Sequence, residues 1–233
     1  MLLSDRHLKI LAKEHELVKP FNEEYCEGAT INLTLDSQIK KHVSNEKLIM
    51  VNKIPDTHYE TIDISENDFY LEPNESVLVQ AYEYFKIPTN MAALILERYS
   101  IKLLGLVVSP ASYMNPGYEG RLSFLLTNHS SAPIQLVAGV KFCQLGIAEL
   151  TSEADKPYEK QDGRYMGSRD VHISKLHLDE EIQKYLKEKG LGNISEFDAR
   201  QLGKHLLEQL DKNAQKYVDI IRKEIGEFNE PTS

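Results

Sequence analysis

Two stretches hold the residues best suited to chemistry: Glu97-Arg98-Tyr99-Ser100-Ile101-Lys102-Leu103 and, shortly after, Asn115-Pro116-Gly117-Tyr118-Glu119-Gly120. Arg98 offers a forked, permanently charged set of donors that fits a phosphate. Ser100 adds a hydroxyl and Lys102 a point charge on a flexible stem. Glu119 is a carboxylate that could accept a proton, or simply a solvated turn residue. Asn115 carries an amide, which can hold a water but cannot take its proton near neutral pH. Structural alternatives stand beside each of these. Arg98 could form an ion pair with Glu97 or Glu119. Lys102 could be a solvated charge, and Gly117 and Gly120 could serve turns that need positive φ. The eight histidines, His42, His129 and His172 among them, show no ligand spacing, and His205 reads as a surface residue.

The composition narrows the classes of function. A formal charge of -9 argues against coating a long nucleic acid, which needs a basic face. A local basic pocket for one nucleotide remains compatible with it. The two cysteines, Cys26 and Cys143, form no CxxC or Cys/His cluster, so neither structural zinc nor a disulfide framework is expected. The opening residues lack the apolar stretch of a signal peptide, and no run reaches the length of a membrane span. The expectation is a soluble protein of the reducing cytoplasm.

The elements that must position these residues are mainly strands. Ser4 is placed to cap a short helix with its hydroxyl, on which Leu8, Leu11 and Ala12 share a face; the helix fades before Pro20. From Ala29 onward short apolar or alternating runs are broken by turn residues. Ile31-Leu33-Leu35, Ser76–Ala81, Ala92–Leu96, Leu122–Leu126 and Val140–Leu145 read as strands. Pro73-Asn74-Glu75, Pro88-Thr89-Asn90, Asn115-Pro116-Gly117 and Asn128-His129-Ser130 read as turns between them. Such spacing without intervening helices points to a β-barrel or sandwich. After Val171 the texture becomes helical. Leu178 to Lys189 suits a short helix ended by Gly190, and Ser195 caps a second. Leu202, Leu206, Leu210, Ala214, Tyr217, Ile221 and Ile225 make one apolar stripe on it. A helix of about 30 residues would span roughly 45 Å. Its stripe either docks on the rest of the chain or forms a seam with a partner. The expected organisation is a β-domain over 1–170 and a helical extension over 171–233.

Taken in order, these segments resemble the dCTP deaminase and dUTPase superfamily. Leu3-Ser4-Asp5-Arg6 is similar to the family opening, and the run from Glu27 to Leu35 to its first core motif. The run Asp68 to Val79 is similar to the segment before a family strand, and Pro133 to Leu145 to its strand, glycine turn and glutamine-bearing strand. Tyr158 to Tyr165 resembles its tyrosine-containing tail. The resemblance runs to about Arg169. It implies a mainly β fold: a distorted jelly-roll-like, dUTPase-type β-barrel, here with a short N-terminal helix and a C-terminal helical extension. It implies a homotrimer with sites between subunits, and a pyrimidine deoxynucleoside triphosphate bound with Mg²⁺ and no zinc.

Carried over residue by residue, the resemblance places Arg98, Tyr99, Ser100, Lys102, Ala111, Asn115, Tyr118, Gln144, Tyr158, Arg164 and Tyr165 around the nucleotide. Pro110-Ala111-Ser112 would read the pyrimidine edge from its backbone. The positions that do chemistry are changed. Deaminating cytosine needs a base to activate water and an acid for the leaving amine. The family glutamate for this reads Leu125, and a helix-turn arginine reads Leu103. The serine beside Arg98 reads Tyr99. The water-activating aspartate of dUTP hydrolysis reads Asn115, and an acidic position of the first motif reads Asn32. The expectation is a nucleotide-binding or interaction module with impaired catalysis. The alternative is an active dCTP deaminase or dUTP diphosphatase using a relocated base, such as Glu119. A protein partner could bind through the C-terminal helices.

Overall fold

The computed structural model describes residues 1–109, 113–161 and 163–190, and all statements of structure concern these. The chain divides into two compact units, Met1–Lys175 and Leu176–Ser233.

The first unit is built from two five-stranded sheets with antiparallel pairing throughout. The first sheet runs, in spatial order, Tyr113–Met114, Met91–Glu97, Lys141–Glu149, Thr30–Thr34 and Cys26–Glu27. The second runs Leu106–Val108, Ser123–Asn128, Ser76–Gln80, Gln38–His42 and Tyr59–Asp63. Phe124 of the second meets Phe142 of the first edge-on, 5.4 Å between ring centres, so the sheets share one apolar core. A three-stranded sheet joins Val18–Lys19, Tyr84–Lys86 and Glu119–Gly120, and a two-stranded one pairs Ile134–Leu136 with Phe69–Leu71. The mainly β architecture is the one the sequence predicts.

Helix α1 spans Asp5–Glu14 and packs Leu8, Leu11 and Ala12 inward, as their spacing requires. Ser4 holds the cap position, but its hydroxyl makes no capping bond and lies 3.4 Å from His7 Nδ1 instead. That expectation is corrected by a closer side-chain partner. Helix α2 spans Tyr99–Leu103, in the segment expected to turn there. In the second unit the described residues hold α3, Glu180–Glu188, followed by Gly190 at φ +69°, matching the predicted stop. Ser195 and the Leu202–Ile225 stripe lie outside the described residues. No helix among the described residues is long and apolar enough to cross a membrane.

Two readings need revision. Thr30–Thr34 does not alternate between core and solvent, because Asn32 and Thr34 are buried as well. Asn32 donates to the Tyr25 carbonyl, and Glu83 covers Thr34. Strands Gln38–His42 and Tyr59–Asp63 went unread. They form the polar, half-exposed edge of the second sheet, which carries no apolar alternation.

Candidate functional site

The C-terminal end of the first unit folds back over the outer face of the second sheet and walls one side of an open cavity. Strand alternation sets its floor: Phe124 and Leu126 point into the core, so Leu125 between them points out, 44% exposed. Leu125 lies opposite Leu78 on the neighbouring strand. The Asn115-Pro116-Gly117 turn, with Gly117 at φ +79°, brings Asn115 and Tyr118 to the rim.

The tail is pinned over this floor by its polar groups. Tyr158 N–H donates to the Pro116 carbonyl at 2.7 Å, and its ring meets Tyr118 edge-on at 5.3 Å. Tyr165 N–H donates to the Tyr158 hydroxyl, and Lys175 N–H to the Tyr165 hydroxyl. His172 stacks on Tyr165 at 4.9 Å, and its backbone N–H donates to Ser123 Oγ at 2.8 Å. The cavity is open to solvent on one side and measures about 340 Å³, within the range of small-ligand sites. Tyr113, Leu122, Ile173 and Ser174 complete its wall.

No carboxylate, lysine or arginine lines this cavity among the described residues. Burial favours the neutral form of Tyr118, Tyr158 and His172 in its wall. Burial pushes the Tyr118 phenol far above the usual tyrosine range and raises Tyr158 as well. Burial, reinforced by Lys175, lowers His172 to about 4, so the imidazole is uncharged at neutral pH. The unfolded imidazole titrates near 6.5. Between those values the unfolded chain binds more protons, so the stability is complete above about 6.5 and drains away as pH falls toward 4. The loss amounts to about 2 kcal/mol once solvent screening is allowed for. Thermal melts of wild type and His172→Phe from pH 7 to 4.5 check this. The wild type should lose the larger share of its stability, and parallel curves would refute the assignment.

Of the sequence-predicted residues, the fold gathers Asn115, Tyr118, Leu125, Tyr158 and Tyr165 in one cavity. Arg98, Tyr99, Ser100 and Lys102 sit elsewhere, on and beside α2. Arg98 Nη1 donates to the Lys141 carbonyl at 2.9 Å, and Lys102 lies 3.5 Å from Glu97. Tyr99 and Leu103 are 76% and 68% exposed. Gln144 Nε2 reaches Thr30 Oγ1 and Asn32 Oδ1 on the adjacent strand. The Arg164 carbonyl accepts from Lys175 Nζ. Ala111 lies outside the described residues. Glu119 accepts from the Tyr84 hydroxyl at 3.0 Å and lines other cavities, away from Leu125. Sequence reasoning missed His172, Tyr113 and Ser123. Ser123 was within reach, since it shares a strand face with Leu125 two residues on. No local pattern marks His172 as part of a site. No group of three His, Cys, Asp or Glu side chains fit to hold a metal occurs among the described residues.

Two facing antiparallel sheets, with the tail bordering an open, aromatic-lined cavity, define a mainly β fold. A dCTP deaminase-like family profile matches residues 2–150. The chain is 32% identical over 184 residues to a dCTP deaminase, dUMP-forming, of Aquifex aeolicus (strain VF5), covering 78% of this chain and 99% of that protein. A protein of the same description from Nanoarchaeum equitans (strain Kin4-M) is 30% identical over 197 residues, covering 77% and 99%. The crystal structure of 2'-deoxycytidine 5'-triphosphate deaminase from Agrobacterium tumefaciens superposes with a TM-score of 0.52 at 18% identity. That likeness is one of fold, and it spans 63% of this chain and 48% of the other. The chain belongs to the dCTP deaminase-like family.

Proposed function

We propose that this protein binds a pyrimidine deoxynucleotide in the Leu125 cavity without deaminating or hydrolysing it, and so acts as a nucleotide-binding or interaction module. The observation that carries this reading is the cavity's lining. It has aromatic faces for a base and, among the described residues, no carboxylate, lysine or arginine, while its one imidazole, His172, is uncharged at neutral pH. Leu125 stands where the family resemblance calls for a glutamate, and Asn115 where it calls for an aspartate.

The placement of the cationic residues supports an assembled site. Arg98, Ser100 and Lys102 are suited to phosphate but lie outside the cavity of their own chain. In a homotrimer of the kind the resemblance implies, a neighbouring copy would bring them to the nucleotide. The exposed apolar side chains Tyr99, Leu103 and Leu104 around α2 fit burial against such a copy. Mg²⁺ would travel with the triphosphate rather than rest on the protein. Asn32 and Asn115 are amides, and no carboxylate lines the cavity among the described residues. The buried free thiols Cys26 and Cys143 suit the reducing cytoplasm.

The names of the relatives favour a second reading, an active dCTP deaminase or dUTP diphosphatase with its base supplied from elsewhere. Purified full-length protein incubated with dCTP or dUTP and Mg²⁺ separates the two. Our reading expects a melting temperature that climbs with nucleotide concentration and no dUTP, dUMP or diphosphate formed. Turnover at enzymic rates would establish the second reading in its place.

A further inference from the structure

A second cavity, of about 400 Å³, opens where the Pro20–Tyr25 segment crosses the outer face of the Thr30–Thr34 strand. Phe21, Tyr25 and Tyr82 supply aromatic walls, and Asn22, Asn32 and Thr34 supply polar edges. Gly139 stands at its rim with φ +79° and open space where a Cβ would lie. One charged side chain lines it among the described residues: Glu83, 5% exposed.

Glu83 is an unusual group to bury in this setting. Thr34 N–H donates to both of its oxygens, at 3.2 and 3.0 Å, and Thr34 Oγ1 donates to Oε1 at 2.8 Å. Of the Thr34 contacts Oε1 accepts two and Oε2 one, so Oε2 is the less engaged oxygen. No lysine, arginine or histidine pairs with Glu83 among the described residues, although buried carboxylates ordinarily have such a partner. Burial raises its carboxyl above the usual range, outweighing its hydrogen bonds and the more distant Arg121 charge, which act the other way. The wall already attracts cations from outside. Lys141 Nζ rests 3.9 Å from the centre of the Tyr25 ring, and the Arg121 guanidinium 5.4 Å from that of Tyr82. Arg121 is neutralised by Asp36 at 2.6 Å.

We infer that this cavity binds a primary alkylammonium group, with its N–H on Glu83 Oε2 and its alkyl chain between the rings of Phe21, Tyr25 and Tyr82. A carboxylate with only Oε2 lightly engaged suits a single ammonium donor rather than the two-pronged edge of a guanidinium. The ammonium belongs either to a free amine or to a lysine or amino terminus of a second copy of the chain. The inference stands independently of the nucleotide reading, because the two cavities share no lining residue.

The test is titration of the full-length protein with n-butylammonium chloride, followed by ligand-observed NMR, with n-butanol as the uncharged control. Saturable binding of the amine and not of the alcohol is expected. Glu83→Gln should weaken it at least tenfold, and Tyr25→Leu, which spares the carboxylate, severalfold. Absence of saturable binding to the wild type, or equal binding by a folded Glu83→Gln, overturns the inference. Sedimentation over a range of protein concentrations identifies the source. Self-association reversed by butylammonium and abolished by Glu83→Gln assigns the ammonium to a second copy. Amine binding without any change in mass assigns it to a free amine.

Discussion

Leu125→Glu is expected to raise dCTP turnover at least about 100-fold above the wild-type background, the low end of what a positioned general base contributes. The substitution is structurally mild. Leu125 faces outward and is 44% exposed, so a carboxylate there keeps contact with water and should change stability by less than about 1 kcal/mol. Its new surroundings favour catalysis. Tyr118, Tyr158 and His172 are all held neutral around it, and apolar neighbours such as Leu78 and Leu122 lift a carboxyl toward working pH. A base needs that intermediate affinity to strip a proton from water and return one to the departing amine. Leu103 remains uncharged in the variant, so activity well short of an evolved enzyme is expected. Conversion of dCTP to a uracil nucleotide, followed chromatographically, is the measurement. A variant that binds dCTP as the wild type does and stays inert would show that the cavity does not present the base's amine to position 125.

Gly105→Ala should destabilise the fold by about 3 kcal/mol or more, lowering Tm by about 10 °C. Gly105 follows α2 at φ +88°, where a side chain is strained. An added Cβ would stand 2.8 Å from Ser130 Cβ and 2.9 Å from Ser130 N. Ser130 cannot yield, because its N–H and Oγ both donate to Asn128 Oδ1 at 2.8 Å. Asn128 is fully buried, and its amide donates to the Leu71 and Ala132 carbonyls. His129 N–H donates to the Gly105 carbonyl itself. The clash therefore pushes back on α2, which carries Ser100 and Lys102 and follows Arg98. Nucleotide affinity should fall together with Tm. A melt within 2 °C of wild type would mean that the Asn128 turn is softer than its hydrogen bonds imply.

Asn128 shows how a reading can be locally sound and still incomplete. Its type and neighbours mark a turn, which is present. That its side chain ties the turn to Leu71, far away in sequence, follows from strand pairing that no local pattern encodes. The same holds for Asn32, Thr34 and Glu83. Ile31, Leu33 and Leu35 have the spacing of a strand with one wet face. The wet face is closed by Tyr25 and Glu83, which arrive from other segments. The candidate site was legible in part for the same reason. Leu125, Asn115, Tyr118, Tyr158 and Tyr165 stand in ordered motifs and meet in one cavity, whereas His172 stands in none and meets them by tail folding.

Residue order alone therefore indicated the family, the mainly β architecture, and the presence of α1 and of α3 with its Gly190 stop. These are properties of side-chain type and short-range periodicity, which the chain carries before it folds. Tertiary structure decided which of those positions share a cavity, that Arg98 and Gln144 do not, and that Glu83 and His172 are buried. Burial and electrostatic environment depend on surfaces brought together from distant strands, so no reading of neighbours along the chain contains them.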